Sequence, residues 1–412
     1  MVLVRLQRSR SGRVTHQRLA LAALAVLATL ALAASGVATA QTGAHPEWLV
    51  GVIVSSSAGG PLGNEQARAA EFTAAAFARQ GVFGAPFAVE VRDDAGDPRR
   101  AASIASDLVD QGALVLVCCS TPAASERVSA LAETIGVVLL SLDGAADDRY
   151  WTLPLRPDTR TQVTAAAVHA AERGETALAL MTLDNAFGDE AAEAFERALA
   201  DTARQPAGTV QYPPSATVLT AEALWAATRV PGAVVIWGLP RDTSLALDGL
   251  RRRGWYGPVY VRPEALPAGV WSRLELTPSG PATQPTAGDA WWQVRSATAP
   301  VSVASLLPLE HPNHAAALEA LDRLTAAGVR HDPVVLANVA RVADALALAH
   351  RAFEQVVALG LPPGLPVATV RQAVLDALVS APPQALAAGT YEARSSDSGF
   401  ARWQGLVVLT TP

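Results

Sequence analysis

The chain is 412 residues long, 50% hydrophobic and 17% charged, with a formal net charge of −6 from 32 basic and 38 acidic residues. Every basic residue of the lysine/arginine class is arginine and none gathers into a patch, which excludes a nucleic-acid-binding surface. The two cysteines, Cys118 and Cys119, are neighbours and cannot staple distant parts of the chain together.

The first forty residues read as a secretory leader. Arg5, Arg8, Arg10, Arg13 and Arg18 form a basic region, Leu19 to Ala34 an apolar one, and Ala38-Thr39-Ala40 a small-residue cleavage site. The apolar run is shorter than the roughly 20 residues of a membrane span. No Cys follows it, so no lipid anchor is expected there. Cleavage near Ala40 would leave 27 basic against 38 acidic residues, a net charge of −11, and a chain exported to the periplasm.

From there the chain alternates strand and helix. Leu49 to Val54 is a continuous apolar run, as expected of a strand buried on both faces. It leads into the small polar loop Ser55 to Gly60 and a helix over Asn64 to Gln80, where Ala67, Ala70, Ala74, Phe77 and Ala78 share a face and Gly81 supplies a C-terminal cap. Asp97-Pro98 opens the next helix, with Ile104, Leu108 and Val109 as its buried stripe. Strand Leu114 to Val117 ends in Cys118-Cys119-Ser120-Thr121, and Thr121-Pro122 opens a third helix. Strand Val137 to Leu140 runs into Ser141-Leu142-Asp143-Gly144. After Trp151 to Pro157 the pattern restarts, with a helix over Arg160 to Arg173, strand Ala177 to Thr182, and a loop ending in Phe187-Gly188 before helix Asp189 to Ala200. Helix Thr220 to Thr228, strand Ala233 to Trp237, helix Thr243 to Arg253 and strand Pro258 to Val261 follow, the last entering Arg262-Pro263-Glu264. Residues 272 to 300, rich in Pro, Thr, Ser and Ala and carrying Trp291-Trp292, read as a surface excursion. From His311 to His350 the chain is helical again, Asp332-Pro333 starting a long amphipathic helix. Thr390 to Leu409 reads as a hairpin around Ser395 to Gly399.

The order and spacing of Asp93-Asp94-Ala95-Gly96-Asp97-Pro98, the Cys-Ser-Thr loop, Phe187-Gly188 and Gly254-Trp255-Tyr256-Gly257-Pro258 resemble the leucine/isoleucine/valine-binding branch of the type I periplasmic binding proteins, over essentially the whole chain after the leader. The resemblance implies an α/β fold of two doubly wound, Rossmann-like lobes joined by a hinge that the chain crosses three times, near residues 156, 307 and 388. The expected N-terminal lobe is 41–156 plus 308–387, and the C-terminal lobe 157–307 plus 388–412. It also implies a binding protein with no enzymatic activity and no cofactor, which captures a small polar molecule such as an amino acid or amide and delivers it to an ABC-type permease. A sensor or interaction module of the same fold, uncoupled from transport, is the alternative.

In such folds ligands bind at the carboxyl ends of strands, which nominates Ser57, Ser120, Thr121, Ser141 and Asp143 from the first lobe and Phe187, Trp237 and Glu264 from the second. A ligand carboxylate needs hydroxyls and helix N-terminal N–H groups, as Ser120 and Thr121 offer. By resemblance, Glu264 receives an ammonium and Phe187 packs over the ligand. Asp143 and Ala145 replace the small residue and Thr of the amino-acid binders. A carboxylate 4 Å from a ligand carboxylate costs about 1 kcal/mol in water and more in a dry cleft. Pro240, after the strand ending at Trp237, removes an N–H donor. Cys118 and Cys119 can close a vicinal disulfide, remain thiols or bind a soft metal, and packing as small hydrophobes is the plain reading. His311 and His314 lack the further ligands that a metal needs. No nucleophile elbow, H-E-x-x-H or P-loop is present.

Overall fold

The computed structural model describes residues 48–57, 61–143, 149–175, 177–202, 205–229, 231–265, 275–276, 294–307, 309–329, 333–361, 365–392, 401–402 and 407–410. The leader, Ala145, Trp291-Trp292, most of the 272–300 excursion and the Ser395–Gly399 turn lie outside these residues.

The first half folds as five strands, β1 (Trp48–Val54), β2 (Phe87–Asp93), β3 (Val115–Cys118), β4 (Val138–Ser141) and β5 (Thr152–Pro154), with helices α1 (Pro61–Gln80), α2 (Pro98–Asp110) and α3 (Pro122–Ile135) between them. All pair in parallel, in the order β2-β1-β3-β4-β5. Alternate residues of a strand face opposite sides, so apolar residues at every position require cover on both. Val52 and Leu140 pack with Val342, Leu346 and Phe353 on one face, while Ile53, Leu116 and Leu139 pack with Leu108 and Val128 on the other. Each such side chain contributes about 1.5–3 kcal/mol by leaving water.

The helix ends follow the residues that cap them. Asp97 accepts from Arg99 N–H, Thr121 accepts from Ala124 N–H, and each is followed by Pro in the first turn. Gly136 closes α3 at φ +72°, a left-handed conformation that favours glycine. Cys118 and Cys119, at the end of β3, are disulfide-bonded to each other and fully buried, a correction to the plain reading of two packed thiols.

The second half adds α4 (Thr159–Glu172), β6 (Ala177–Leu183), α5 (Ala186–Asp201), β7 (Gln205–Tyr212), α6 (Thr220–Thr228), β8 (Ala233–Trp237), α7 (Pro240–Arg252) and β9 (Val259–Val261). With β10 (Glu275–Leu276), β11 (Val294–Thr298) and β15 (Val407–Thr410) they form a sheet of order β10-β15-β11-β9-β8-β6-β7. The strands from β7 to β11 are parallel, and β15 runs antiparallel to its neighbours. Its faces are covered by Leu219 and Leu247 against Ile236, and by Phe195 and Leu199 against Val235.

Strand β11 corrects the reading of 272–300 as surface throughout. It pairs with β9, and its Arg295 is 1% exposed, donating to Glu175 and to the Tyr260 hydroxyl. The chain then turns through a 3-10 segment, Pro300–Leu306, into α8 (His314–Ala326), α9 (Pro333–Ala358) and α10 (Val367–Ser380). Strands β12 (Gln384–Ala385), β13 (Thr390–Tyr391) and β14 (Ala401–Arg402) make a small antiparallel sheet. The expected terminal hairpin is therefore split, β13 pairing with β14 while Leu409 belongs to the second large sheet. No helix among the described residues is long and apolar enough to cross a membrane.

Candidate functional site

The order β2-β1-β3-β4-β5 reverses direction between β1 and β3, and open sheets bind ligands beyond the strand ends at such a point. There Ser120 Oγ accepts from the Ser55 N–H at 3.1 Å and donates to Gln66 Oε1 at 2.7 Å, tying the loops after β1 and β3 to α1. The Ser57 hydroxyl donates to Asp93, whose other carboxylate oxygen accepts from the Ser57 N–H at 3.2 Å and the Ala95 N–H at 3.0 Å. Slight burial works to raise the Asp93 carboxyl, but these hydrogen bonds, that of the Ser57 hydroxyl foremost, bring it down to about 2. Thr121 spends its oxygen on the α3 cap, at 3.4 Å from Ala124 N. Ser141 is wholly buried at the end of β4, in register with Cys118.

Glycine decides how close two of these loops come. A Cβ on Gly63 would lie 2.2 Å from Ser55 O, and one on Gly188 would lie 1.7 Å from Leu183 O. Both contacts are with backbone, so α1 and α5 start tight against the ends of β1 and β6 only because these positions carry no side chain.

The remaining candidates gather around one guanidinium. Arg156, just after β5, pairs with Asp143 after β4 and with Glu264 after β9, at 3.3 Å to the latter. The two large sheets are thus linked by one shared cation. Arg262 lies 3.7 Å from the other Glu264 oxygen, and its guanidinium stands 4.9 Å from the Phe187 ring centre and 5.6 Å from that of Trp237. Burial works to raise the Glu264 carboxyl, yet Arg156 and Arg262 pull it below the usual carboxylate range. Asp143 is pushed up: burial outweighs its share of Arg156, and the ionised Glu264 adds to the rise. Burial also acts against the Arg156 charge, but Glu264 and Asp143 hold that charge more firmly than usual. The carboxylate flagged as out of place, Asp143, is neutralised by a residue not nominated from the sequence.

Three arginines were missed. Arg156 and Arg262 stand in stretches already marked as strand ends, and their pairing with residues as far as 108 positions away left no local trace. Arg341 carried a readable signal: Asn338, Arg341 and Asp344 recur every three residues on α9, amid Val339, Ala340, Val342 and Ala345, all buried. Arg341 is 5% exposed and donates to Asn338 Oδ1 at 2.6 Å. Pro240 begins α7, where its missing N–H needs no helical partner, and Leu239 N–H donates to Asp242 instead. Among the described residues no group of three His, Cys, Asp or Glu could hold a metal ion. His311 and His314 instead bond to backbone, the first accepting from Asn313 N–H and the second meeting Leu307 O.

No curated protein sequence matches the chain. Among solved structures it resembles one described as a branched-chain amino acid ABC transporter from Rhodospirillum rubrum, at TM-score 0.69 and 20% identity over 89% of this chain and 97% of that one. An extracellular ligand-binding receptor from Rhodopseudomonas palustris HaA2 superposes at TM-score 0.64 and 19% identity, covering 89% and 98%. A leucine binding protein from Thermotoga maritima does so at 0.58 and 15%, covering 88% and 99%. These likenesses show the type I fold of two α/β lobes. The family model of periplasmic binding proteins matches residues 48–292, more than half of the chain, and the protein therefore belongs to the periplasmic binding protein family.

Proposed function

We propose that this protein is an extracytoplasmic receptor that captures a small polar molecule between two lobes, 41–156 with 308–387 and 157–307 with 388–412, and presents it to an ABC-type permease. The observation that carries the reading is the ion cluster in which Arg156 joins Asp143 from the loops of the first sheet to Glu264 from the second. Charged groups from both sheets meet where strand ends converge, and a molecule bound there would contact both sides. A ligand touching both lobes favours their closed arrangement over the open one by its extra contacts, and a closed receptor is what a permease would distinguish from an empty one. Ser57, Ser120, Thr121, Ser141, Asp143, Phe187, Trp237 and Glu264 are the proposed wall of this cleft. The family is one of binding proteins, and no reaction is proposed.

The test is a thermal-shift screen of residues 41–412 against amino acids, amides, polyamines and small carboxylic acids. A true ligand at a hundred times its Kd adds about 2.7 kcal/mol, a rise of several degrees. A hit weakened by Thr121→Ala supports the cleft. A folded protein that no compound stabilises removes the solute-receptor reading.

A further inference from the structure

An α-amino acid asks two things of a cleft: donors for its carboxylate and an anion for its ammonium. In this chain two of the candidate hydroxyls and the candidate anion already have partners, while the Thr121 hydroxyl accepts from Ala124 N–H and keeps its own hydrogen. The single hydroxyl hydrogen of Ser120 goes to Gln66 and that of Ser57 to Asp93, so neither is left to donate to a ligand. Glu264 has Arg156 on one oxygen; the other is buried without a hydrogen-bond partner among the described residues, with Arg262 3.7 Å away. An incoming ammonium would stand beside two guanidinium groups that already share this carboxylate.

What is left over has the opposite sign. Arg341 is a buried guanidinium with no carboxylate within 4 Å among the described residues, and its Nε has no hydrogen-bond partner there. Asp344, three residues on, spends its carboxyl on the Ala387 and Ala388 N–H groups and the Tyr391 hydroxyl. Arg341 lies within electrostatic reach of Arg156, Glu264 and Asp143. The Nε of Arg262 and the indole N–H of Trp237 are also buried, without a hydrogen-bond partner among the described residues. Three guanidiniums, of Arg156, Arg262 and Arg341, thus face two carboxylates, Asp143 and Glu264; Asp344, also within electrostatic reach of Arg341, is pushed up by burial to about 7 and carries only part of a charge near neutral pH, and Glu190, near Arg262, is exposed and screened by water. A buried cation without its own anion is costly to maintain, and planar guanidiniums match a carboxylate with paired donors.

We propose that the ligand is a small carboxylate without an α-amino group, held by Arg341 together with the Arg156–Arg262 pair, and that Glu264 positions those arginines instead of receiving an ammonium. The proposal rests on the solute-receptor reading and narrows it. A carboxylate completes the charge balance of the cluster. The zwitterion of the same skeleton brings an ammonium toward three like charges.

Matched triplets test this by thermal shift and calorimetric titration: 4-methylpentanoate, leucine and 4-methylpentanamide; phenylacetate, phenylglycine and phenylacetamide; succinate, aspartate and succinamide. The expected result is stabilisation by a carboxylate and little or none by its amino-acid and amide counterparts. Arg341→Gln should weaken that binding by about tenfold to a hundredfold, the range of one charge-assisted hydrogen bond, without lowering the unfolding temperature of the ligand-free protein. If Arg341→Gln does not fold, Arg262→Gln should show the same loss of affinity. Stronger binding of the amino acid than of the bare carboxylate overturns the proposal, as does unchanged carboxylate affinity in the folded variant. A flat response to these triplets alongside a hit among amides or polyamines also overturns it while leaving the receptor function standing. A flat response to every compound removes the function itself.

Discussion

Replacing Arg156 by Met would remove the one cation that Asp143 and Glu264 share. The side chain keeps most of its length, so the change is chiefly one of charge. At 3.3 Å, Arg156 and Glu264 attract by roughly 5 kcal/mol at an effective dielectric of 20, before desolvation is subtracted. Breaking a fully buried pair costs about 3–5 kcal/mol, largely because the surviving charge is stranded. Here the side chains of Asp143, Arg156 and Glu264 are 16%, 22% and 28% exposed, and water takes up part of that loss. A cost of about 2–3 kcal/mol at pH 8 follows, or a fall in unfolding temperature of about 5–10 °C for lobes of this size. The variant should recover part of the loss at pH 5, because burial already biases Asp143 toward its protonated form. Adding Asp143→Asn to Arg156→Met should restore much of the stability at pH 8 by removing one stranded charge. Thermal unfolding of the three proteins at both pH values measures all of this. A loss below about 0.5 kcal/mol, the level of an ordinary surface substitution, with no dependence on pH or on Asp143, would refute the view that Arg156 holds these two carboxylates together.

Other expectations are more local. Burial raises the Asp344 carboxyl to about 7, so the folded state keeps a proton that the unfolded chain loses above its ordinary value of 3.8. Its contribution is therefore present at low pH and lost as pH rises through 7, up to about 4 kcal/mol. Asp143 and Glu175, also raised by burial, slope the same way. His169, lowered to about 4 by burial and by Arg295, slopes the other way between about 4 and 6.5 and offsets only one of these carboxyls there, so the unfolding temperature should fall as pH rises from about 4 to 7. Asp344→Asn should flatten the fall between about pH 4 and 7, and an unchanged slope would contradict the assignment. Gly188→Ala should sharply lower the unfolding temperature, because its Cβ would meet Leu183 O at 1.7 Å; a neutral effect would mean that the start of α5 can shift. Phe353→Ala, at a fully buried position against the first sheet, should cost about 3–5 kcal/mol in chemical unfolding, and a loss below 1 kcal/mol would show that α9 repacks.

The parallel strands were legible because burial on both faces makes them read as unbroken apolar runs, bracketed by Asp-Pro and Thr-Pro helix starts and Gly stops. Strand β7 was passed over: Pro206 and Gly208 argue against a strand, and both are tolerated because β7 is the edge of its sheet, with a register shift at Leu178/Ala179. Strand β11 was missed because Val-Arg-Ser-Ala-Thr looks like surface. Its buried Arg295 is compensated by Glu175, 120 residues away, which no local pattern reveals. Helix α10 followed the Pro-rich stretch near 362–366 without a polar N-cap to announce it. In the candidate site, strand-end loops could be found from strand periodicity alone. Which charges meet there depends on contacts between segments as distant as Arg156 and Glu264, and no local pattern shows them.

Small-angle X-ray scattering of residues 41–412, with and without a saturating compound from the binding screen, tests the central claim most directly. A molecule captured between two lobes should shrink the radius of gyration, with a midpoint matching its calorimetric affinity. Saturable binding with an unchanged scattering curve would contradict the account, placing the ligand outside the cleft that Arg156 spans.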